Sequence, residues 1–198
     1  MAYATCETAG APGAPLVFTF HGTGGDETQL HGLAADLLPG AHVVSPRGDV
    51  SEGGMNRFFR RRAEGVYDME DLNARAEAMA GFVAARRAAA GADRVVGLGY
   101  SNGANTLAAV AFRAPELFTD LALLHPLIPW TPDPRPALSD ARVLVTAGRN
   151  DPICPAPLTE ALCGWFEAQG AALHTAWHPG GHEVARTELE ALSRFLGG

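Results

Sequence analysis

A serine flanked by glycines is the clearest chemical feature of the chain. Gly99-Tyr100-Ser101-Asn102-Gly103 has the form G-x-S-x-G and stands where an apolar run ends and a helical pattern begins. At such a strand-to-helix turn the serine hydroxyl projects from the edge of a sheet, and the crowded flanking positions need glycine or another very small residue. Ser101 is therefore the predicted nucleophile. The alternative is a glycine-rich turn that contains a serine by chance.

A serine nucleophile needs a base, and the base needs a carboxylate that orients it. Asp151 follows the apolar run Arg142–Ala147, which places its side chain at the carboxyl edge of a sheet. His182 lies in Pro179-Gly180-Gly181-His182-Glu183, between the last apolar run and the last helical pattern. We predict His182 as the base and Asp151 as its partner. His178 is the alternative base, but the flexible Gly-Gly approach favours His182.

Two further side-chain groupings suggest other chemistry. His174, His178 and His182 are spaced by four, which on a helix would suit a metal ion. The first two fall in or beside an apolar strand and are followed by Pro-Gly-Gly, so they cannot share one helical face, and we predict no metal site. Cys154 lies three residues beyond Asp151 but has no strand-to-helix context of its own, so packing is its predicted role.

Acyl transfer also needs hydrogen-bond donors for the oxyanion that develops on the substrate. The backbone N–H of Asn102 follows the nucleophile directly. A second donor is predicted at the N–H of Thr23, within the loop His21–Glu27 that follows the run Leu16–Phe20. A phosphate-binding loop is the alternative for this segment, but it lacks the Lys-Ser/Thr pair, and its two acidic residues would repel phosphate.

Apolar runs and helical patterns alternate along the chain, which predicts a mainly parallel α/β sheet with right-handed crossovers. The predicted strands are Leu16–Phe20, His42–Ser45, Arg94–Tyr100, Leu121–His125, Arg142–Ala147 and Ala172–Trp177. The predicted helices are Gln29–Leu38, Met69–Ala90, Asn102–Arg113, Leu158–Gln169 and Glu183–Leu196. Asp68 and Gly91 predict the two ends of the longest helix.

Length and composition limit the classes of protein to consider. The 198 residues predict one domain, 1–198, and 15 basic against 22 acidic residues disfavour a nucleic-acid partner. Three cysteines indicate reduced thiols rather than a disulfide scaffold. The first ten residues lack the features of a signal peptide, and no run of 18 apolar residues occurs. We therefore expect a soluble, cytoplasmic protein without a membrane partner.

Two segments without a clear helical or strand pattern are candidates for substrate contacts: the long connection Pro46–Tyr67 and the proline-rich stretch Pro126–Pro136. The apolar candidates are Phe58, Phe59, Leu127 and Trp130. The alternative is that these side chains belong to the core or fasten the loop. Arg47 follows the end of a strand and is a candidate contact for a substrate carboxylate, with an ion pair to a nearby acid as the alternative.

Several of these motifs together resemble a known family. His21–Glu27, Gly99–Gly103, Asp151-Pro152 and Gly181-His182 look like the small carboxylesterase/phospholipase family of bacterial α/β-hydrolases, relatives of the acyl-protein thioesterases and more distantly of dienelactone hydrolase. Further segments are similar to a bacterial branch with hydroquinone- and copper-stress-linked esterases, namely Ser45–Gly48, Gly54–Arg61 and His125–Pro129. The resemblance spans roughly Leu16 to Leu196.

The resemblance implies an α/β-hydrolase fold: a mainly parallel sheet of six to eight strands flanked by helices, without a lid domain. It also implies a serine triad that needs no cofactor and acts on small-acyl or aromatic esters. Dienelactone hydrolases use cysteine where this chain has Ser101, so lactonase chemistry is not carried over. Two alternatives stay open: a thioesterase or lysophospholipase for longer acyl chains, and a catalytically silent ligand-binding protein. The oligomeric state, monomer or homodimer, also stays open.

Overall fold

The computed structural model describes residues 3–197, which fold around one central sheet. The strands are β1 (Thr5–Thr8), β2 (Leu16–Phe20), β3 (His42–Pro46), β4 (Val50–Glu52), β5 (Met55–Arg57), β6 (Arg61–Ala63), β7 (Val66–Tyr67), β8 (Val95–Tyr100), β9 (Asp120–Leu124), β10 (Arg142–Gly148) and β11 (Ala172–His178). The α-helices are α1 (His31–Leu37), α2 (Met69–Ala90), α3 (Asn102–Arg113), α4 (Ala156–Ala168) and α5 (Arg186–Gly197). Short 3₁₀ turns occupy Pro115–Leu117 and Pro136–Asp140.

The seven-stranded sheet has the order β1-β3-β2-β8-β9-β10-β11, with β1 antiparallel and the other strands parallel. Both faces are covered: α1 and α5 pack on one face, and α2, α3 and α4 pack on the other. Every residue of β2 and β9 is buried, which explains why these strands are continuous apolar runs. The predicted α/β-hydrolase fold is confirmed, and its sheet lies within the expected range of strands.

The last strand differs from the inner strands. Along β11 most residues are partly or fully exposed, and two histidines and a threonine stand among its apolar residues. The strand pairs with β10 alone in the described sheet order, so it forms an edge. An edge strand has fewer neighbours to cover its faces, and the sequence pattern does not distinguish it from a central strand.

The long connection between β3 and α2 has its own secondary structure. It forms two small antiparallel hairpins, β4–β5 and β6–β7. Gly53 and Gly54 join β4 to β5 with φ of 58° and 84°. Two consecutive positive φ values are what a type I′ hairpin turn requires, and glycine adopts them without a Cβ clash. The segment is therefore a structured element that stands beside the sheet edge.

The longest helix, α2, begins and ends where the sequence predicts. The carboxylate of Asp68 accepts a hydrogen bond from the Asp71 N–H at 3.2 Å, and Gly91 closes the helix with φ of 60°. Alanine occupies most of its exposed positions, and Glu70 and Glu77 are also exposed. Across residues 3–197, α2 included, no helix combines the length and the apolar character needed to cross a membrane.

Candidate active site

Ser101 stands between the end of β8 and the start of α3 in a strained backbone conformation, with φ of 52° and ψ of −117°. Its N–H donates to the carbonyl of Leu124 at 2.9 Å, and its carbonyl accepts from the N–H of Asn105 at 3.0 Å. These bonds to a neighbouring strand and to the first turn of α3 hold the strain in place. The hydroxyl is thereby presented at the carboxyl edge of the sheet.

The two glycines of the motif are required by close packing. A Cβ on Gly103 would lie 2.1 Å from the carbonyl oxygen of Phe20, and one on Gly99 would lie 2.8 Å from the Cα of Ala104. Both neighbours are backbone atoms, which cannot move aside as a flexible side chain does. Helix α3 approaches β8 at Gly99 and the end of β2 at Gly103 this closely only because both positions lack a side chain.

The side chains of Ser101, His182 and Asp151 form a continuous hydrogen-bonded series. The Nε2 atom of His182 lies 2.9 Å from the Ser101 Oγ, and its Nδ1 lies 2.7 Å from the Asp151 Oδ2. A carboxylate only accepts, so Nδ1 carries the proton and Nε2 presents its lone pair to the serine hydroxyl. The imidazole is 17% exposed and the carboxylate is fully buried.

Asp151 is held as an ionised carboxylate. Its Oδ1 accepts from the backbone N–H groups of Ile153 at 2.8 Å and Cys154 at 2.9 Å. Its Oδ2 faces the imidazoles of His182 and His125. Burial opposes the charge, but these four donors outweigh it and lower the pKa of the Asp151 carboxyl. The group therefore accepts hydrogen bonds without taking up the proton.

The loops that carry Asp151 and His182 touch each other. A Cβ on Gly148, at the end of β10, would lie 2.0 Å from the carbonyl oxygen of Gly181. Only glycine allows this approach. From β8, the hydroxyl of Tyr100 donates to the carbonyl of His182 at 2.8 Å. The base is therefore fastened to the strand that carries the nucleophile and to the strand that carries the carboxylate.

The two predicted oxyanion donors lie on elements fastened by the β4–β5 hairpin. No acceptor for the N–H of Thr23 or of Asn102 occurs within residues 3–197. The N–H of Gly24 donates to the carbonyl of Asn56 at 2.9 Å. The Nη1 of Arg57 donates to the Thr23 Oγ1 at 2.6 Å. Both N–H groups can therefore donate to a bound oxyanion. The hydrogen bonds with Asn56 and Arg57 of β5 hold the loop that carries Thr23.

Side chains that sequence reasoning missed complete this support. The Oδ1 of Asn102 accepts from the N–H of Phe58 at 2.8 Å, and the Nε2 of His21 accepts from the N–H of Gly48 at 2.9 Å. Arg57 is only 3% exposed and pairs with Glu52 at 3.2 Å. A residue of this type is rarely buried without a partner, but the sequence pattern gives no sign that Arg57 is buried and its arginine neighbours are not.

A small cavity opens beside the nucleophile. It encloses about 280 Å³, part of it open to solvent, and its lining includes Ser101, Leu127, Ile153 and Tyr67. The Tyr67 hydroxyl donates to the carbonyl of Leu127 at 2.7 Å and accepts from the Asn105 amide at 2.8 Å. These bonds make the tyrosine a fixed wall. Of the apolar side chains predicted to contact substrate, Leu127 is the one that the structure brings to this cavity.

The two predicted phenylalanines belong to the core. Phe58 is 2% exposed and packs edge-on against Phe20 with ring centroids 5.6 Å apart. Phe59 is fully buried and packs against Tyr67 at 4.8 Å. Both side chains point inward because the hairpin needs apolar contacts to fasten it to the sheet. The alternative reading of this pair, as anchors of the loop, matches their place in the structure.

Trp130 and Arg47 also lie away from the cavity. Trp130 stands behind Tyr67, with ring centroids 6.2 Å apart, and lines separate depressions beside α3 and α4. Arg47 is 43% exposed and forms a two-point ion pair with Glu27. Its guanidinium is thus engaged by a neighbouring acid, the alternative that the sequence left open.

The other residues that the sequence offered for catalysis or metal binding are His174, His178 and Cys154, and each has its own surroundings. His174 packs against Phe195, whereas His178 faces Glu188 with Nε2 and Oε2 3.2 Å apart. His178 therefore does not stand next to the nucleophile. Cys154 is 1% exposed, and burial raises the pKa of its thiol, so the sulfur stays protonated and unreactive.

Two groups of side chains bring ligand-type atoms close together: His125 with Asp151 and His182, and His125 with His178 and Glu188. Hydrogen bonds link the members of the first group, and close charge contacts link those of the second. The Nδ1 of His178 accepts from the N–H of Gly180 at 3.1 Å, so its proton is on Nε2 and that atom has no lone pair for a metal ion. We therefore place no metal in either group.

Comparisons with known proteins find relatives over nearly the whole chain. No protein-family model matches the chain. The Bacillus subtilis (strain 168) protein named "Putative hydrolase MhqD" is 36% identical over 177 residues, which cover 88% of each chain. The crystal structure of Atu2452, a protein of unknown function from Agrobacterium tumefaciens str. C58, is 52% identical with a TM-score of 0.95, and the match covers 98% of this chain and 96% of that one.

The structure of a Bacillus cereus carboxylesterase is 34% identical with a TM-score of 0.92, and the match covers 98% of this chain and 93% of that one. The identity with MhqD and with the carboxylesterase extends over nearly all of each protein. The chain therefore belongs to the small bacterial carboxylesterase family of α/β-hydrolases.

Proposed function

We propose that this protein is a serine carboxylesterase in which Ser101 is the nucleophile, His182 the general base and acid, and Asp151 the carboxylate that orients the imidazole. The observation that carries the proposal is the unbroken hydrogen-bonded series from the Ser101 Oγ through His182 to the buried Asp151 carboxylate. Membership of a carboxylesterase family supports the same reaction class. Fold alone would not, because one scaffold serves many chemistries.

The reaction proceeds in two halves. The Ser101 Oγ bonds to the ester carbonyl carbon while the Nε2 of His182 takes the hydroxyl proton, and the resulting imidazolium returns that proton to the departing alcohol oxygen as the carbon–oxygen bond breaks. Water then attacks the acyl-enzyme, with His182 again taking and returning a proton. The products are a carboxylic acid and an alcohol, and Asp151 stays ionised throughout.

The oxyanion that forms in each half is assigned to the N–H groups of Thr23 and Asn102. Helix α3 begins at Asn102, so that N–H points out of the helix toward the reacting carbonyl and carries the positive end of the helix dipole. Thr23 depends on its loop, which the Arg57 guanidinium holds by the hydrogen bond to Oγ1. Arg57 is therefore a positioning residue of the proposed site.

Replacing Arg57 by methionine should lower kcat by about 10- to 100-fold, with a smaller change in KM, because a loosely held donor stabilises the transition state less. Thr23→Ala removes the other partner of the same hydrogen bond and should give a similar loss. The double variant should then lose little more than either single variant. The measurement is steady-state hydrolysis of p-nitrophenyl butyrate.

Arg60→Met is the matched control, because that side chain is 67% exposed and lies three positions further along. Thermal unfolding of each variant separates loss of fold from loss of catalysis. A parent-like kcat in folded Arg57→Met would show that the Thr23 loop does not depend on this contact.

The cavity favours a short acyl group. Its space of about 280 Å³ includes a part that is open to solvent, so the enclosed part is smaller than typical small-ligand sites, which span roughly 300 to 1,000 Å³. The hydrogen-bonded Tyr67 and the buried Leu127 limit its depth. A long acyl chain would have to leave the cavity and lie on the surface, where it gains little burial.

We expect kcat/KM to fall by at least about tenfold from the butyrate to the laurate ester of p-nitrophenol, because only the first carbons of the longer chain are buried. Leu127→Ala should shift the preference toward six-carbon chains by lengthening the cavity. The Ser101→Ala variant serves as the blank for spontaneous hydrolysis. A rise in kcat/KM toward laurate would favour the long-chain thioesterase or lysophospholipase instead.

A further inference from the structure

Asp151 serves two imidazoles, and the mechanism uses only one of them. Its Oδ2 lies 2.7 Å from the Nδ1 of His182 and 2.9 Å from the Nδ1 of His125. His125 follows β9 directly and is fully buried. His125 is thus a buried titratable side chain in contact with the catalytic carboxylate, and the proposed ester reaction does not use it.

The contacts of His125 extend beyond Asp151 to helix α5. The Nε2 of His125 lies 3.0 Å from the Oε1 of Glu188, a carboxylate that is itself fully buried. The other oxygen of Glu188 accepts from the N–H of Ala185 at 2.6 Å and faces the Nε2 of His178 at 3.2 Å. His125 therefore stands between two carboxylates with one ring nitrogen toward each.

The backbone at His125 is as unusual as that at the nucleophile. Within residues 3–197, Ser101 and His125 are the non-glycine residues with positive φ, at 52° and 50°. Strain of this kind persists where the surrounding structure requires a particular side-chain direction. The carbonyl of Thr146 in β10 accepts from the His125 N–H at 2.9 Å and helps to hold the conformation.

We propose that His125 is a positioning residue held as an imidazolium between Asp151 and Glu188, and that its charge sets the acid limit of the activity by disfavouring protonation of His182. The inference rests on the proposed serine esterase function. The Nδ1 of His125 is hydrogen-bonded to Asp151, whereas the contact of its Nε2 with Glu188 is a close charge contact without hydrogen-bond geometry. A neutral imidazole would turn a lone pair toward one of these two carboxylate oxygens, whereas an imidazolium turns an N–H toward each.

The pKa shifts of the buried groups also favour their charged forms. Burial opposes the charged imidazole, but the two neighbouring carboxylates, Glu188 and Asp151, outweigh it and raise the pKa of His125. Burial likewise opposes the charge on Glu188, and the hydrogen bonds that it accepts nevertheless lower its pKa. All three groups are thus most stable in their charged forms.

A fixed positive charge beside the base has a direct consequence. The ring centroids of His125 and His182 are 5.1 Å apart. At this separation in a partly buried site, a unit charge changes the protonation of its neighbour by about one pH unit or more. The imidazolium of His125 therefore opposes a second positive charge on the adjacent His182 ring.

The other groups around the pair do not titrate in the same range. The Tyr100 ring faces both imidazoles, and burial raises the pKa of its hydroxyl to about 12. Burial also raises the pKa of the Cys154 thiol, whose sulfur contacts the His125 carbonyl. Glu183 is exposed, and hydrogen bonds from backbone N–H groups lower the pKa of its carboxyl. His178 accepts at Nδ1 from the Gly180 N–H and faces Glu188 with its Nε2.

His125→Asn tests the proposal because it removes the charge with little other change. The asparagine amide can still donate to Asp151, and asparagine tolerates positive φ better than most residues. We expect the acid limb of kcat/KM for a neutral ester to move upward by about 1 pH unit, with the alkaline plateau within about threefold of the parent. His174→Asn is the matched control, since that side chain is exposed on β11, and its profile should not move.

A merely structural role for His125 predicts a different result: lower activity at every pH without a displaced acid limb. That outcome, or an unmoved limb with full activity, would overturn the proposal. A second measurement needs neither the variant nor catalysis. Nitrogen NMR of the parent, labelled at histidine, should show protons on both ring nitrogens of His125 at about pH 8.

A singly protonated His125 ring in that spectrum would also overturn the proposal, even if the variant failed to fold. The two hypotheses fail separately. If Ser101→Ala retained full esterase activity, the proposed function would be wrong, while the NMR spectrum would still report the charge on His125.

Discussion

Replacing Ser101 by alanine should lower kcat for p-nitrophenyl butyrate by about 10⁴-fold or more, because it removes the hydroxyl that is hydrogen-bonded to the His182 imidazole. The residual rate would come from the oxyanion donors and from binding. Alanine has the same backbone requirement as serine at this position, so the strained turn should persist. The melting temperature should therefore stay within a few degrees of the parent.

Ser193→Ala on the exposed side of α5 is the matched control and should behave as the parent. A folded Ser101→Ala variant with parent-like turnover would contradict the assignment of the nucleophile. If the parent itself hydrolysed no member of an ester panel faster than Ser101→Ala, the protein would instead be the catalytically silent binding protein that the sequence left open.

The second large effect is expected for Asp151→Asn, which should lower kcat by about 10³- to 10⁴-fold with a smaller change in KM. The carboxamide has one accepting oxygen and no charge, whereas the carboxylate of Asp151 accepts from two imidazoles and two backbone N–H groups. An amide NH₂ turned toward the base would stabilise the tautomer with its proton on Nε2. That tautomer cannot accept the serine proton.

Asp133→Asn, in the exposed proline-rich stretch, makes the same chemical change away from the site and should have no effect. Stopped-flow acylation and steady-state turnover together separate the chemical step from binding. A loss below about tenfold, or one confined to KM, would show that Asp151 does not orient the base.

Much of the sheet follows from local sequence. Both-face burial makes each central strand a continuous apolar run, and the caps at Asp68 and Gly91 place the ends of α2. The same reasoning locates Ser101, Asp151 and His182, because in a parallel sheet the residues that follow each strand meet at one edge. The structure brings all three together there.

The hairpins of the long connection carry a signal that sequence reasoning overlooked. Gly53-Gly54 between two short polar segments is a type I′ turn signal, yet the segment lacks the apolar alternation that normally accompanies it. Arg57 is the buried arginine of this segment because it contacts Glu52 in the same hairpin and Thr23 in the distant loop after β2. Tertiary contacts rather than local pattern decide that choice.

The pairing of His125 with Glu188 is beyond local reasoning for a similar reason. The two residues are far apart in sequence, and an acid within the amphipathic α5 reads as part of a solvated face. Its burial follows only from the way α5 packs on the sheet.

Phe58 and Phe59 are a case in which the residue type suggests the wrong role. Aromatic residues in a loop suggest a ligand surface, whereas here they fasten the loop to the core.

Covalent labelling followed by intact-mass and peptide analysis tests the central claim most directly. An alkyl fluorophosphonate reacts when a serine oxygen bonds to phosphorus and fluoride leaves, which requires an activated nucleophile, a base and oxyanion donors in one place. We expect one adduct per chain, located on Ser101, with loss of esterase activity in step with labelling and no adduct on Ser101→Ala. A fully labelled protein that keeps its activity, or an adduct on any other residue, would contradict the account.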